Sequence, residues 1–319
     1  MADRVCWALS DGRIGIENEV LGVAEAVGLP IRLKQIRPRP PWRWLPAQLW
    51  LAPFASLGPD GDPLTPPWPD LLIGCGRLAV PLSMAVRKAS RGQTFTVHLQ
   101  NPQIDPRHFD LVVPPKHDRV RGPNVLETLG APNRVTAEKL RAGAEKLAPQ
   151  VAHLPSPRVA VLIGGSNSCY KLTPTITERL AQRLRQLCRD AHASLLVTTS
   201  RRTGPANEAV LRETLRDLPA YVWAGTGDNP YFGLLGLADA IAATADSAAM
   251  VSEACATGKP VYVIELEGGN RKFRDFHAGL RAAGMTRAFS GRLERWTYPP
   301  LNDTAVVAAE IKRRLGLDR

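Results

Sequence analysis

The chain has 319 residues, 44% hydrophobic and 22% charged. That balance suits a globular protein with a sizeable core and more than one domain, at about 150 residues each, and calls for neither disorder nor a repeat array. Its formal charge of +11 comes mostly from scattered arginine, a balance open to an anionic membrane surface, a phosphorylated ligand, nucleic acid, or a merely arginine-rich genome; with no basic tail or single basic helix, no nucleic-acid partner is expected.

In chain order, VCWAL (5–9) reads as a strand, SDGRIG as a glycine-containing turn, and Glu17 to Val27 as an amphipathic helix stopped by Gly28 and Pro30. IRLKQI follows as a second strand. DLLIG (70–74), FTVHL (95–99) and DLVVP (110–114) are further strands, with a helix from Leu78 to Ala89 between the first two. Strand alternating with helix predicts a parallel sheet covered on both faces. The alternation breaks at residues 37–70, which are rich in proline and hold Trp42, Trp44, Trp50 and Trp68. Two readings stand for this segment. Tryptophans beside Arg37, Arg39 and Arg43 suit a lipid headgroup layer, where a ring sits half buried and a guanidinium meets phosphate; alternatively the loop packs its tryptophans on its own domain. Asp60 and Asp62 form a D-x-D off the end of any strand, which reads as a turn rather than a metal chelate.

The prolines of KLAPQVAHLPSP (146–157) read as an interdomain linker, so the expected domains are 1–150 and 151–319. The second series runs RVAVLIGG strand, Thr173 to Asp190 helix, SLLVTTS strand, Pro205 to Leu218 helix, AYVWAG strand and a turn at TGDNPYFGLLG. AIAAT then reads as a strand, SAAMVSEACATGKP as a helix ended by Gly258 and Pro260, VYVIE as a strand, and residues 303–315 as a last helix. The predicted fold class is α/β, two Rossmann-like domains facing a cleft, with the last helix free to pack back on the first domain.

Chemistry concentrates where strands hand over to helices. Gly164, Gly165, Ser166 and Asn167 follow a strand directly, where glycines let backbone N–H groups approach a phosphate; a tight turn without ligand uses the same residues. Neither a P-loop nor a G-x-G-x-x-G fingerprint is present. Asp246, Ser247, Ser252 and Glu253 form a second polar cluster, either facing a ligand or capping a helix with Glu253 on a solvated face. Asp11 and Glu17 in the first turn, and His117 in PKHD, are candidate general bases or ordinary caps. No stretch approaches the run of about 20 apolar residues that a membrane span needs, and no signal core opens the chain, so a cytoplasmic place is expected. Five cysteines without a C-x-x-C pair fit a reducing compartment, and the six histidines lack metal spacing.

Taken in order, SDGRIGIENEVLGVAEAVG, QNPQI, FDLVVPPKHD, LIGGSN, DNPYFGLLGLADAI and TADSAAMVSEACATGKPVYV resemble the bacterial relatives of the plant elongated-mitochondria (mitochondrial fission) family over nearly the whole chain. More broadly the chain resembles GT-B glycosyltransferases, in particular the lipid-linked N-acetylglucosaminyltransferase of peptidoglycan synthesis. That resemblance implies a nucleotide sugar held by the C-terminal domain, with Gly165 and Ser166 at the diphosphate, Ser247 and Glu253 at the ribose, and Ser200, Arg201 and Asn229 completing the wall. Where the peptidoglycan enzyme has a histidine after its first glycine loop, Ile16 stands near that place, so the base role falls to Glu17 or Asp11, with His117 next. No metal and no cofactor is implied, since the nucleotide sugar is a substrate and GT-B enzymes stabilise the leaving diphosphate with helix N-termini and basic side chains. The implied activity is sugar transfer to a lipid or envelope acceptor by a peripheral protein at the cytoplasmic face of the inner membrane, with Trp42, Trp44, Trp50 and Arg43 toward an anionic surface. A non-catalytic membrane-recruiting scaffold and a nucleotide-sugar 2-epimerase are the alternatives.

Overall fold

The computed structural model describes residues 4–223 and 225–317; Ala224, in the strand expected at AYVWAG, lies outside them. The chain divides into two compact units, the first running to Arg134 and resuming at Asn302, the second spanning Val135–Leu301.

The first unit is a sheet of β1 (Cys6–Ser10), β2 (Ile31–Gln35), β3 (Leu71–Cys75), β4 (Phe95–Leu99) and β5 (Leu111–Val113). All pairings are parallel, in the order β2-β1-β3-β4-β5. Strands β1, β3 and β5 are buried at every position, which is why they read as unbroken apolar runs rather than alternating ones. Helices α1 (Ile14–Val27) and α2 (Ala79–Ala89) follow β1 and β3. The last helix, α9 (Asp303–Leu315), returns to this unit and sets Val307, Ala308 and Ile311 among Val20, Val23 and Ala24 of α1. Its start is pinned by Leu129 and Gly130, whose N–H groups donate to the Asp303 carboxylate, and by Asn133 N–H on Thr304 Oγ1 at 2.8 Å.

Residues 37–70 form short 3₁₀ turns rather than a free loop. Trp50 is only 6% exposed, packs with Trp7, Leu72 and Leu82, and donates its indole N–H to Leu45 O. It is thus a core residue and not a membrane contact, because almost all of it is buried. Trp42 is half buried against it, and Trp68 packs on Trp7 and Phe54. Trp44 stays 69% exposed, with Leu49 and Leu51 also exposed nearby in sequence.

The second unit holds six parallel strands: β6 (Arg158–Ile163), β8 (Ser194–Thr199), β9 (Ala220–Val222), β10 (Ala240–Thr244), β11 (Val261–Ile264) and β13 (Thr286–Ala288), in the order β13-β11-β10-β6-β8-β9. A short antiparallel pair, β7 (Tyr170–Lys171) with β12 (Glu267–Gly268), stands apart from that sheet. The helices are α3 (Ala137–Val151), α4 (Pro174–Ala191), α5 (Pro205–Leu215), α6 (Tyr231–Leu237), α7 (Ala248–Ala256) and α8 (Arg271–Ala282). Two differences from the sequence reading stand out. Residues 146–151 belong to α3, with Pro149 near its end, so the division falls between 134 and 135 rather than at 150. The expected turn at TGDNPYFGLLG contains α6, whose glycines serve contact rather than turning: a Cβ on Gly233 would lie 2.6 Å from Gly143 O of α3, and one on Gly236 would lie 2.4 Å from Leu140 O.

Candidate functional site

Each sheet has one place where the strand order reverses, between β1 and β3 in the first unit and between β6 and β10 in the second. Ligands of open α/β sheets bind outside the carboxyl ends of the strands at such a point. In the second unit it is occupied by the two polar clusters anticipated from the sequence. Gly164 N–H donates to Thr244 Oγ1 at 2.8 Å, and Gly165 N–H donates to Asp246 Oδ2 at 3.0 Å. Asp246, buried, also accepts from Thr244 Oγ1 and pairs with the Arg202 guanidinium at 2.8 Å. A Cβ on Gly164 would sit 2.2 Å from Asp246 Oδ2, and one on Gly165 would sit 2.0 Å from Arg202 O. These glycines are therefore demanded by close approach of neighbouring loops, and their N–H groups are engaged inside the protein.

Asn167 ties the clusters together by donating Nδ2 to Asp246 O at 3.0 Å while Oδ1 accepts from the Cys169 and Tyr170 N–H groups. Ser166 Oγ accepts from Leu172 N, and Ser200 Oγ donates to Gly164 O. Ser247 is the N-cap of α7 and accepts from Met250 N at 3.3 Å. The first N–H groups of a helix find no partner within it, so those of Ala248 and Ala249 remain for whatever lies at the end of α7. His277 of α8 places Nε2 2.9 Å from Ala245 O, at the same edge.

Glu253 is 5% exposed and accepts from the Tyr231 hydroxyl at 2.6 Å. The Tyr231 N–H in turn donates to Asn229 Oδ1. Burial, reinforced by the Glu253 charge, pushes the Tyr231 hydroxyl well above its usual range. Glu253 is thus a held carboxylate rather than one on a solvated helix face, and Ser252 beside it is buried. Asn229 lines a separate concavity of about 590 Å³ with Lys139, Lys146, Trp223 and Phe232. Arg201 is exposed; its neighbour Arg202 carries the ion pair. Sequence reasoning missed Arg202, Thr244 and Tyr231. SRRTG offers two adjacent arginines with no periodicity to choose between them, and Thr244 hides as the last residue of an apolar strand.

At the reversal in the first unit lies a concavity of about 620 Å³ whose lining includes Asp11, Arg13, Arg43, Trp44, Arg77 and Gln100. Both Asp11 oxygens accept from Arg13, at 2.6 to 3.1 Å. Glu17 is not in that lining; its Oε2 accepts from Ser10 Oγ at 2.8 Å and Gln35 Nε2 at 3.1 Å. His117 lies in a short turn, Lys116–Asp118, after β5, and is also outside it. Of the three candidate bases, only Asp11 lines this concavity. Among the described residues no three His, Cys, Asp or Glu side chains are placed to hold a metal, and no helix is long and apolar enough to cross a membrane.

Residues 14–315 match the family model described as "Mitochondrial fission ELM1". The mitochondrial fission protein ELM1 of Arabidopsis thaliana is 33% identical over 275 residues, 78% of this chain; the chain spans 64% of that relative's length. Among solved structures, the UDP-GlcNAc 2-epimerase of Methanocaldococcus jannaschii in complex with UDP-GlcNAc and UDP aligns at a TM-score of 0.59 and 10% identity, covering 98% of this chain and 99% of the other. UGT71G1 of Medicago truncatula, complexed with UDP-glucose, aligns at 0.52 and 10%, covering 99% and 91%. At such identities the likeness is one of fold, and the fold is GT-B-like.

Proposed function

We propose, for a chain that belongs to the mitochondrial fission ELM1 family, that the second unit binds a nucleotide sugar at the carboxyl edge between β6 and β10, and that the protein moves the sugar, without a metal, to a lipid or envelope acceptor. The observation that carries this reading is the hydrogen-bonded join of Gly164–Asn167 to Asp246 at the start of α7. A helix N-terminus with open N–H groups suits a diphosphate, and the Arg202 pair offsets the Asp246 charge that would otherwise oppose one. Glu253, fixed by Tyr231 at one oxygen, is assigned to the ribose hydroxyls. Glu17 is assigned as base toward the acceptor hydroxyl in preference to Asp11, whose oxygens are both engaged by Arg13. The exposed Trp44, Leu49 and Leu51 next to Arg43 support a peripheral place on an anionic membrane.

Calorimetric titration with UDP and UDP-sugars tests the donor assignment. Glu253→Gln keeps a partner for the Tyr231 hydroxyl while removing a charged acceptor, so affinity is expected to fall about tenfold or more, as a charge-assisted hydrogen bond of about 1.5–3 kcal/mol requires. Absence of nucleoside diphosphate binding to the wild-type chain would sink the donor site. Conversion of UDP-GlcNAc to its 2-epimer with no acceptor present would replace transfer by epimerisation.

A further inference from the structure

We infer that the concavity between β1 and β3 of the first unit is a binding site for a phosphate or diphosphate ester. Three guanidinium groups, Arg13, Arg43 and Arg77, face one carboxylate, Asp11, in its lining. Asp11 is itself taken by Arg13 through Nε and Nη2, which leaves the other two cations uncompensated by it. Arg77 donates Nη1 to Leu45 O at 3.0 Å and Nη2 to Arg43 O, so it braces the turn that carries Arg43 and Trp44. The Arg43 guanidinium lies over the Trp44 ring, 5.9 Å from its centroid, and forms no ion pair among the described residues. The brace fixes the backbone of Arg43, and its exposed guanidinium is open to an anion from outside the chain.

The backbone points the same way. Helices α1 and α2 both begin at this concavity, and their N-cap positions, Arg13 and Leu78, make no side-chain capping bond. Two helix N-termini add their positive ends to the three side chains. Gln100, also in the lining, is held at φ +74°, a left-handed conformation that costs a non-glycine residue, while its amide donates to Glu19. Guanidinium forks match phosphate oxygens, and an open concavity of about 620 Å³ suits one phosphorylated head rather than a polyanionic strand. The exposed Trp44 ring gives the organic part of such an ester an apolar wall. Identifying the ligand as the sugar acceptor rests on the transfer reading above; the anion site does not.

The experiment is calorimetric titration of the full chain with inorganic pyrophosphate, alongside UDP. Wild-type protein is expected to bind pyrophosphate, the Arg13→Gln/Arg43→Gln double variant at least tenfold more weakly, and Arg43→Lys at an intermediate level. Unchanged thermal melting checks that the variants fold. Arg202→Gln reports on the second unit: it should weaken UDP binding and leave the component of pyrophosphate binding that depends on Arg13 and Arg43. No pyrophosphate binding, or binding lost with Arg202→Gln and kept in the double variant, overturns the proposal. Failure of UDP to bind while pyrophosphate still depends on Arg13 and Arg43 removes only the transfer reading. Co-sedimentation with phosphatidylcholine vesicles containing phosphatidic acid then separates sources: retention that falls in the double variant assigns the phosphate to a lipid head, and retention indifferent to it assigns a soluble ester.

Discussion

His98 lies in β4 fully buried, its ring 4.9 Å from that of Phe109, and neither ring nitrogen has a hydrogen-bond partner among the described residues. Burial pulls its pKa down to about 3 from 6.5. Between those values the unfolded chain binds the proton that the folded chain refuses, so the stability His98 contributes is complete above about pH 6.5 and is lost as pH falls toward 3. Urea unfolding of wild type and His98→Leu across that window should show the wild type losing up to about 1.4 kcal/mol more per pH unit; parallel pH curves would refute it. At Gly165 the expectation is steric. Gly165→Ala drives a methyl against Arg202 O, and overpacking of about 1–3 kcal/mol should appear as a lower urea midpoint at unchanged m. A weakened UDP affinity should accompany it, because the Arg202 pair with Asp246 shifts with the backbone.

Among the elements, α9 makes the sharpest prediction. Ile311 is fully buried against the core of the first unit, and Ile311→Ala should cost about 2–5 kcal/mol in denaturant unfolding. A cost below 1 kcal/mol would mean that α9 is only loosely docked. All five strands of the first sheet and five of the six in the second were legible because buried parallel strands are short apolar runs with turn residues at each end; β13, an edge strand with one buried residue, was not. Helix α8 was not read: RKFRDFHAGLRA is so charged that only Phe276 and Leu280 are buried, too few to reveal a period. Helix α6 was hidden by glycines that the sequence presents as turn signals and that the structure uses to bring α3 close. The clusters around Gly164 and Asp246 were legible from their place at strand ends. The partners that hold the polar groups there, Arg202 from a loop and Tyr231 from the start of α6, are distant in sequence, and no local pattern marks them.

At the scale of the whole molecule, the charge of +11 and the exposed Trp44, Leu49 and Leu51 predict salt-sensitive adsorption to anionic vesicles. Co-sedimentation should weaken as salt shortens the screening length to about 8 Å at physiological ionic strength, and Trp44→Ser/Leu51→Ser should reduce it further. Adsorption indifferent to both salt and anionic lipid would dismiss the surface. The first unit is also discontinuous, its closing helix separated from the rest by the entire second unit. During translation, therefore, residues 4–134 leave the ribosome with the groove on α1 uncovered, and they wait through the synthesis of 135–301 before α9 arrives to fill it. The inserted unit has no such delay and can complete its core while still tethered. A nascent chain arrested after residue 301 should accordingly present a protease-resistant second unit and a protease-sensitive first one, and a peptide of residues 302–319 supplied in trans should restore protection.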